Sequence, residues 1–219
     1  MTETRDEVAG SEPGRGVPPW PGGRDAWPEG DHWDHELLAN GDARNVEDRF
    51  RYWKMSAIVA DLDRRGDWLE VAVENLGHDF NIGSIVRTAN AMGVRRVHIV
   101  GRRRWNRRGA MVTDRYLSVE HHPTVGDFTH HVQSRGLHII GVDNIDGSVP
   151  LEGTTLPRRT VLVMGEESTG LSPDMVRACE KVVHITQYGS TRSINVGHAA
   201  AIAMWSWVLT YPPQGDETA

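Results

Sequence analysis

The 219-residue chain has a single cysteine, Cys179. A lone cysteine excludes an intramolecular disulfide and any cysteine-rich zinc module. Lysine is almost as scarce: of 24 basic residues, only Lys54 and Lys181 are lysine and the rest are arginine. Arginine suits bidentate phosphate contacts, although coding bias alone yields the same skew. No apolar run approaches the roughly 18–20 residues of a membrane span. The N-terminus lacks the basic-then-apolar pattern of a secretory signal. Neither the glycine-rich dinucleotide fingerprint nor the phosphate-binding loop with its lysine is present, which argues against a standard NAD enzyme or a nucleoside triphosphatase. The expectation is a cytoplasmic globular protein, long enough to bury a core without staples.

What is present is unevenly charged. The net charge of −6 seems to disfavour nucleic acid, but residues 1–48 carry −8, residues 49–110 carry +7 and residues 111–219 carry −5. A basic patch on an acidic protein is a phosphate footprint in the making.

Residues 1–45 are rich in proline, glycine and acid, and read as a disordered tail that buries too little apolar surface to order itself. Trp20, Trp27 and Trp33 are available to dock. His32 and His35 lack further ligands nearby for a metal. Residues 46–211 read as one folded domain and 212–219 as a polar tail. The domain opens with a helix over 46–65, where Val46, Phe50, Trp53, Ala57, Ile58 and Leu62 recur at helical spacing and Gly66 supplies the stop. Strands are expected at 69–73, 96–101, 137–142, 160–165 and 181–185. Helices are expected at 82–92, 125–135, 172–180 and 195–210. Near-continuous apolar strands alternating with helices predict an α/β fold, a mostly parallel sheet covered on both faces. The last helix is apolar nearly all round, with Trp205 and Trp207 on different faces, which fits a helix shared between core and dimer interface.

In such a sheet, ligands bind past the carboxyl ends of the strands. Three loops there are candidates. In the first, Asn81 precedes a helix start and Arg87 lies about a turn and a half along it; a capped helix with a surface arginine is the bland alternative. The second, MGEESTGLSPDM (164–175), has Gly165 and Gly170 for a tight turn, Glu166 and Glu167 at the strand end, and Ser172-Pro173 to start a helix. Adjacent carboxylates on an extended segment point opposite ways, so one at most faces a given site. The third, TQYGSTRSINVGHAAA (186–201), runs Ser190, Thr191, Arg192, Ser193 and Asn195 into the apolar helix, a good ligand-binding helix start. A catalytic Ser-His pair using His198 is weak, since nothing identifies an acid partner.

Together the loops resemble motifs 1, 2 and 3 of the SpoU/TrmH family of RNA 2′-O-ribose methyltransferases, in the SPOUT superfamily. Motif 1 matches at residues 81–93, motif 2 at 162–172 and motif 3 at 185–205, so the resemblance spans roughly residues 67–210. It implies a SPOUT-type fold with a deep C-terminal trefoil knot, a homodimer, and S-adenosyl-L-methionine held by backbone groups at Gly165, Ile185 and Ile194. Its functional polar positions fall on Asn81, Arg87, Glu167, Ser193 and Asn195. The family proposal makes Arg87 the base for a ribose hydroxyl. Because guanidinium groups stay charged at working pH, clamping a phosphate and stabilising the developing alkoxide is an equal alternative. Glu167 is expected to organise the cofactor loop, and Ser193 and Asn195 to hold the ribose or the motif 3 loop.

In GRRRWNRRGAMVTDR (101–115), five arginines lie between 102 and 108 and Trp105 interrupts them. Arg102, Arg103, Arg104, Trp105, Arg107 and Arg108 are expected to bind RNA, arginine on phosphate and tryptophan by stacking; solvated loop arginines are the alternative. His121-His122 and His130-His131 lack metal-site spacing and read as surface residues, and no metal or membrane partner is expected. The overall expectation is S-adenosyl-L-methionine-dependent 2′-O-methylation of structured RNA, transfer RNA slightly ahead of ribosomal RNA. The rivals are a catalytically silent RNA-binding relative and a SPOUT enzyme that methylates a base nitrogen.

Overall fold

Strand residues alternate between two faces of a sheet, and here both faces need apolar cover. In β1 (Leu69–Asn75), Val71 and Val73 point to one side and Ala72 to the other, and the whole strand is buried. The computed structural model describes residues 16–64, 68–75, 81–166 and 168–212. Among them the remaining strands are β2 (Arg96–Gly101), β3 (Ser118–His122), β4 (His138–Val142), β5 (Val149–Pro150), β6 (Thr160–Met164) and β7 (Lys181–His184). All six pairings are parallel, and the seven strands run in the order β3-β2-β1-β6-β4-β7-β5. The mostly parallel sheet expected from the apolar runs is therefore present, with every pairing parallel.

Helices α3 (Ile82–Ala91) and α6 (Val196–Thr210) cover one face, where Ile85, Val86, Ala200 and Met204 join Val71, Val97 and Leu162. Helices α4 (Val125–Ser134) and α5 (Pro173–Ala178) cover the other, where Phe128, Val132 and Met175 join Ala72, Val161 and Val163. Ser172 and Pro173 start α5 as expected, Ser172 Oγ accepting from Met175 N at 3.1 Å, and Thr124 caps α4. β3 and β5 were not expected. SVEHH is too polar to stand out, and Val149–Pro150 is too short.

On α6, Trp207 is buried and donates Nε1–H to Pro157 O, while Ile202, Trp205 and Leu209 are exposed. The two tryptophans do lie on different faces. No helix among the described residues is long and apolar enough to cross a membrane.

The N-terminal expectation needs correction. The chain divides into two compact units, Met1–Ala60 and Asp61–Ala219. In the first, residues 1–15 lie outside the described residues, but residues 16–45 are structured, with helix α1 (His35–Asn40) capped by Asp34. The reason is aromatic. Trp20 packs edge-on against Trp33 and Tyr52, with ring centroids 5.7 and 5.3 Å apart, and Trp53 adds to the cluster. Such rings bury large apolar areas, which together help to offset the cost of ordering a proline-rich segment. His32 stacks on Trp33 and Trp53 and His35 lies beside Trp27, so both histidines serve packing.

Asp42 organises this unit. It is fully buried, its carboxylate pairs with the Arg44 side chain and accepts from Tyr52 N at 2.9 Å. Burial pushes its pKa up, but these bonds and that from Arg44 N outweigh burial and hold it below the usual range. Tyr52 adopts φ 62°, a left-handed conformation stabilised by its own hydrogen bond to Pro18 O. The helix expected over 46–65 is shorter than drawn: a single 3-10 turn at Asp48–Phe50 precedes α2 (Met55–Asp63). Gly66 and residues 213–219 of the expected C-terminal tail lie outside the described residues.

Candidate active site

A cavity of about 420 Å³ opens beyond the carboxyl ends of β4, β6 and β7, within the size range of small-ligand sites. Val142, Ile145, Val196 and Ala199 give it apolar walls, and Gly165, Ile185 and Ile194, the three expected cofactor residues, all line it. Ser193, Arg192 and Glu166 line it as well.

Backbone shape fixes the wall after β6. A Cβ on Gly165 would sit 2.2 Å from Gly170 C and 2.3 Å from Leu171 N, so only glycine fits. Glu166 and Gly170 exchange both backbone hydrogen bonds and close the turn. Two carboxylates from other strands then pin the loop. Asp143, just past β4, accepts from Leu171 N at 2.8 Å. Glu74, in β1, accepts from both Ser172 N and Ser172 Oγ at 2.7 Å. Past β7, Thr186 donates from N and Oγ1 to Glu152, and Asn144 Nδ2 donates to Arg192 O at 3.2 Å. Sequence reasoning missed Glu74, Asp143, Asn144 and Glu152. Each is an ordinary polar residue at a strand end, and only the sheet order brings it to its partner.

The polar positions fall into place unevenly. Asn195 caps α6, its Oδ1 accepting from Gly197 N at 2.9 Å and His198 N at 3.3 Å. Its Nδ2 donates to Asn81 Oδ1 at 2.9 Å, so the starts of α3 and α6 are tied together. Asn81 precedes α3 without a side-chain cap to its own helix; the expected cap is replaced by this contact. Arg87 is exposed on α3 and has no ion-pair partner among the described residues. Ser193 is exposed on the cavity rim. Glu167 lies outside the described residues; its neighbour Glu166 is buried, with Oε2 accepting from Thr169 Oγ1 at 3.3 Å.

The arginine segment packs against the same helix start. Asn75 Nδ2 donates to Arg102 O at 2.7 Å and Arg104 O at 2.9 Å, anchoring the loop to the end of β1. A Cβ on Gly83 would come within 2.8 Å of Gly109 Cα and Ala110 N, so two glycines let the loop touch α3. Arg102, Arg103, Arg104, Arg107 and Arg108 are all exposed. Trp105 is different: it packs partly on the core with the Arg107 guanidinium 5.5 Å from its ring centroid. Its stacking face is therefore partly used within the protein.

Two further groups bear on the chemistry. Burial, with the nearby Glu74 charge, pushes the Cys179 thiol up to about 12, so it is not a nucleophile. The histidines read as surface residues need correction: His122 is buried against His98 on the α4 face, and His131 faces the same cluster. Adjacent histidines in one strand point to opposite faces, so His121 instead bonds Gly101 O at 2.8 Å.

The donor set of the cavity fits S-adenosyl-L-methionine. The buried Gln187 Oε1 in its wall has no hydrogen-bond partner among the described residues. An unsatisfied acceptor beside apolar walls and open backbone suits a ligand carrying an amine, hydroxyls and a flat ring.

Comparison with known proteins agrees. The SpoU rRNA Methylase family profile matches residues 69–205. The tRNA (guanosine(18)-2′-O)-methyltransferase of Escherichia coli (strain K12) is 29% identical over 158 residues, covering 71% of this chain and 68% of the relative. Its Aquifex aeolicus counterpart is 28% identical over 148 residues, covering 66% and 70%. Among solved structures, the A. aeolicus TrmH/SpoU tRNA modifying enzyme superposes with a TM-score of 0.64 at 24% identity, over 74% of this chain and 88% of that one. AviRb from Streptomyces viridochromogenes, solved with AdoMet, gives 0.61 at 26% identity, over 68% and 64%. The chain belongs to the SpoU rRNA methylase family.

Proposed function

We propose that this protein transfers the methyl group of S-adenosyl-L-methionine to a ribose 2′-hydroxyl of a structured RNA, with transfer RNA the first substrate to test and ribosomal RNA the second. One observation carries the reading. The cavity wall at Ser193 and Ile194, the Asn195–Asn81 contact, the start of α3 and the arginine loop docked on Gly83 form one continuous path. A cofactor-sized space at the start of α6 and an arginine-rich surface at the start of α3 are thus joined by one side-chain contact.

The cofactor supplies a methyl group already activated on a sulfonium, so the protein contributes position and electrostatics. In this reading Gly165, Ile185 and Ile194 hold the cofactor through backbone groups, and Glu167 organises the loop between them. Asn81 and Asn195 lock the two helix starts, and Ser193 meets the ribose. Arg87, exposed and without a charged partner among the described residues, binds the adjacent phosphate and stabilises the oxygen as its proton leaves. Arg102, Arg103, Arg104, Arg107 and Arg108 hold the RNA backbone, with Trp105 setting the loop's shape.

The exposed stripe Ile202, Trp205 and Leu209 on α6 supports the homodimer, since aromatic and aliphatic residues at helical spacing suit a partner's surface. The deep trefoil knot and a cytoplasmic location belong to the same reading.

The test is methyl transfer from labelled S-adenosyl-L-methionine to separated transfer and ribosomal RNA, followed by nucleoside analysis. A 2′-O-methylnucleoside made by the wild type and lost in Arg87→Ala is the expected result. Cofactor binding without transfer to either RNA would contradict the substrate class, and absence of both would contradict the enzyme.

A further inference from the structure

The α4 face of β2 and β3 buries a polar cluster that methyl transfer does not use. We propose that His98, Glu120 and His131 form a structural binding site for a zinc-like transition-metal ion. One ligand atom each from His98, Glu120 and His131 lies within 4.8 Å of the others. His131 Nε2 is 3.2 Å from Glu120 Oε2, and His98 Nδ1 is 4.0 Å from the same oxygen. His122 Nε2 approaches His98 Nδ1 to 2.9 Å. Ligands on a tetrahedral ion with bonds of about 2.0–2.1 Å stand roughly 3.3 Å apart. The Glu120–His131 pair already stands at this spacing, and the His98–Glu120 pair reaches it by closing less than an ångström.

The surroundings orient these donors inward. Glu70 Oε2 lies 2.7 Å from His98 Nε2. It accepts that ring's proton and turns the Nδ1 lone pair towards the cluster, the carboxylate–histidine arrangement typical behind metal ligands. Arg96 holds Glu120 by Oε1, leaving Oε2 to face the histidines. Among the described residues, His131 Nε2 is buried yet makes no hydrogen bond, although it lies 3.2 Å from Glu120 Oε2. A lone pair directed at an ion accounts for that geometry.

The donor set selects the ion. Arg96 and Arg135 already balance the charges of Glu70 and Glu120. A hard cation that relies on carboxylate charge gains little here, whereas two imidazoles beside one carboxylate favour zinc, cobalt or nickel. Three protein ligands leave one tetrahedral position to water, and with the methyl-transfer site elsewhere the ion would be structural. It would pin α4 to edge strand β3, whose sequence SVEHH offers little apolar anchorage.

The test uses the full-length chain without a histidine tag, stripped with chelator, reloaded with zinc and freed of excess. Metal content is measured by mass spectrometry. About one zinc per chain is expected, with a thermal midpoint above that of the stripped protein. His131→Ala and Glu120→Gln, both at half-exposed positions, should lose the zinc and the thermal shift while keeping helical content. His130→Ala, at the exposed neighbour, should keep both. Cobalt loading gives a second readout, an intense visible band in the wild type that both ligand variants lack. Zinc far below stoichiometric in the wild type, or retained unchanged in both ligand variants, would overturn the site.

Discussion

The cavity at the start of α6 and the arginine loop at the start of α3 are linked through Asn195 and Asn81, yet they are built by opposite means. The cavity wall is made of backbone, with Gly165 in a space that excludes one methyl group and Glu74 and Asp143 holding the turn from behind. The loop offers five exposed guanidinium groups anchored through the backbone by Asn75. Recognition by shape is intolerant at single atoms. Recognition of phosphate by many charges is spread out and replaceable. The comparison therefore predicts that one methyl group disables the first region, while the second fades in steps.

The largest effect is expected from Gly165→Ala. The added carbon collides with the Gly170 backbone, and overpacking of this kind costs about 1–3 kcal/mol of stability. Calorimetry should find no S-adenosyl-L-methionine binding, with the thermal midpoint lowered. Next comes Arg87→Ala, which should lower methyl transfer roughly 10²–10³-fold and leave cofactor affinity as it was. Arg87→Lys sharpens the role. Substantial retained activity with weaker RNA affinity supports the clamp, whereas failure of lysine with activity rising only at very high pH supports a base.

For the loop, replacing all five arginines by glutamine should flatten the slope of log K against log salt by roughly 3.5, and a single replacement by roughly 0.7. Binding titrations across salt concentrations would read this directly. Cofactor binding should be unchanged, and coupled loss of both would break the separation between the two regions.

The smallest effect lies in the N-terminal unit. Asp42→Asn removes a buried carboxylate bonded to Arg44 and Tyr52 N, at an expected cost of about 1–3 kcal/mol, read by tryptophan fluorescence during urea unfolding. The folded pKa of Asp42 is lowered. Its stabilisation is thus complete above the ordinary carboxylate pKa of about 4 and disappears as pH falls through the lower folded value. Wild type should lose this increment in acid, and Asp42→Asn should not.

Much of this was legible in the sequence, and the gaps have physical causes. Strands such as TVLVM, buried on both faces, announce a parallel sheet, and the Ser172-Pro173 pair announces a helix start. Gly165, Ile185 and Ile194 stood out through family motifs, and one cavity gathers them. Partners distant in sequence did not stand out: Glu74 meets Ser172 across 98 residues and Asn81 meets Asn195 across 114. His98, Glu120 and His131 converge only because β2 and β3 are neighbours under α4. The proline- and glycine-rich stretch before residue 45 hid an aromatic core, since composition counts residues and cannot show that Trp20, Trp33 and Tyr52 meet.

The most direct test of the central claim is alkaline hydrolysis of RNA that the enzyme has methylated with labelled cofactor. A methyl group on the 2′-oxygen removes the nucleophile that cleaves the neighbouring phosphodiester. The account predicts the label in alkali-resistant dinucleotides, absent when Arg87→Ala is used. Label released in mononucleotides would place the methyl on a base and contradict ribose methylation.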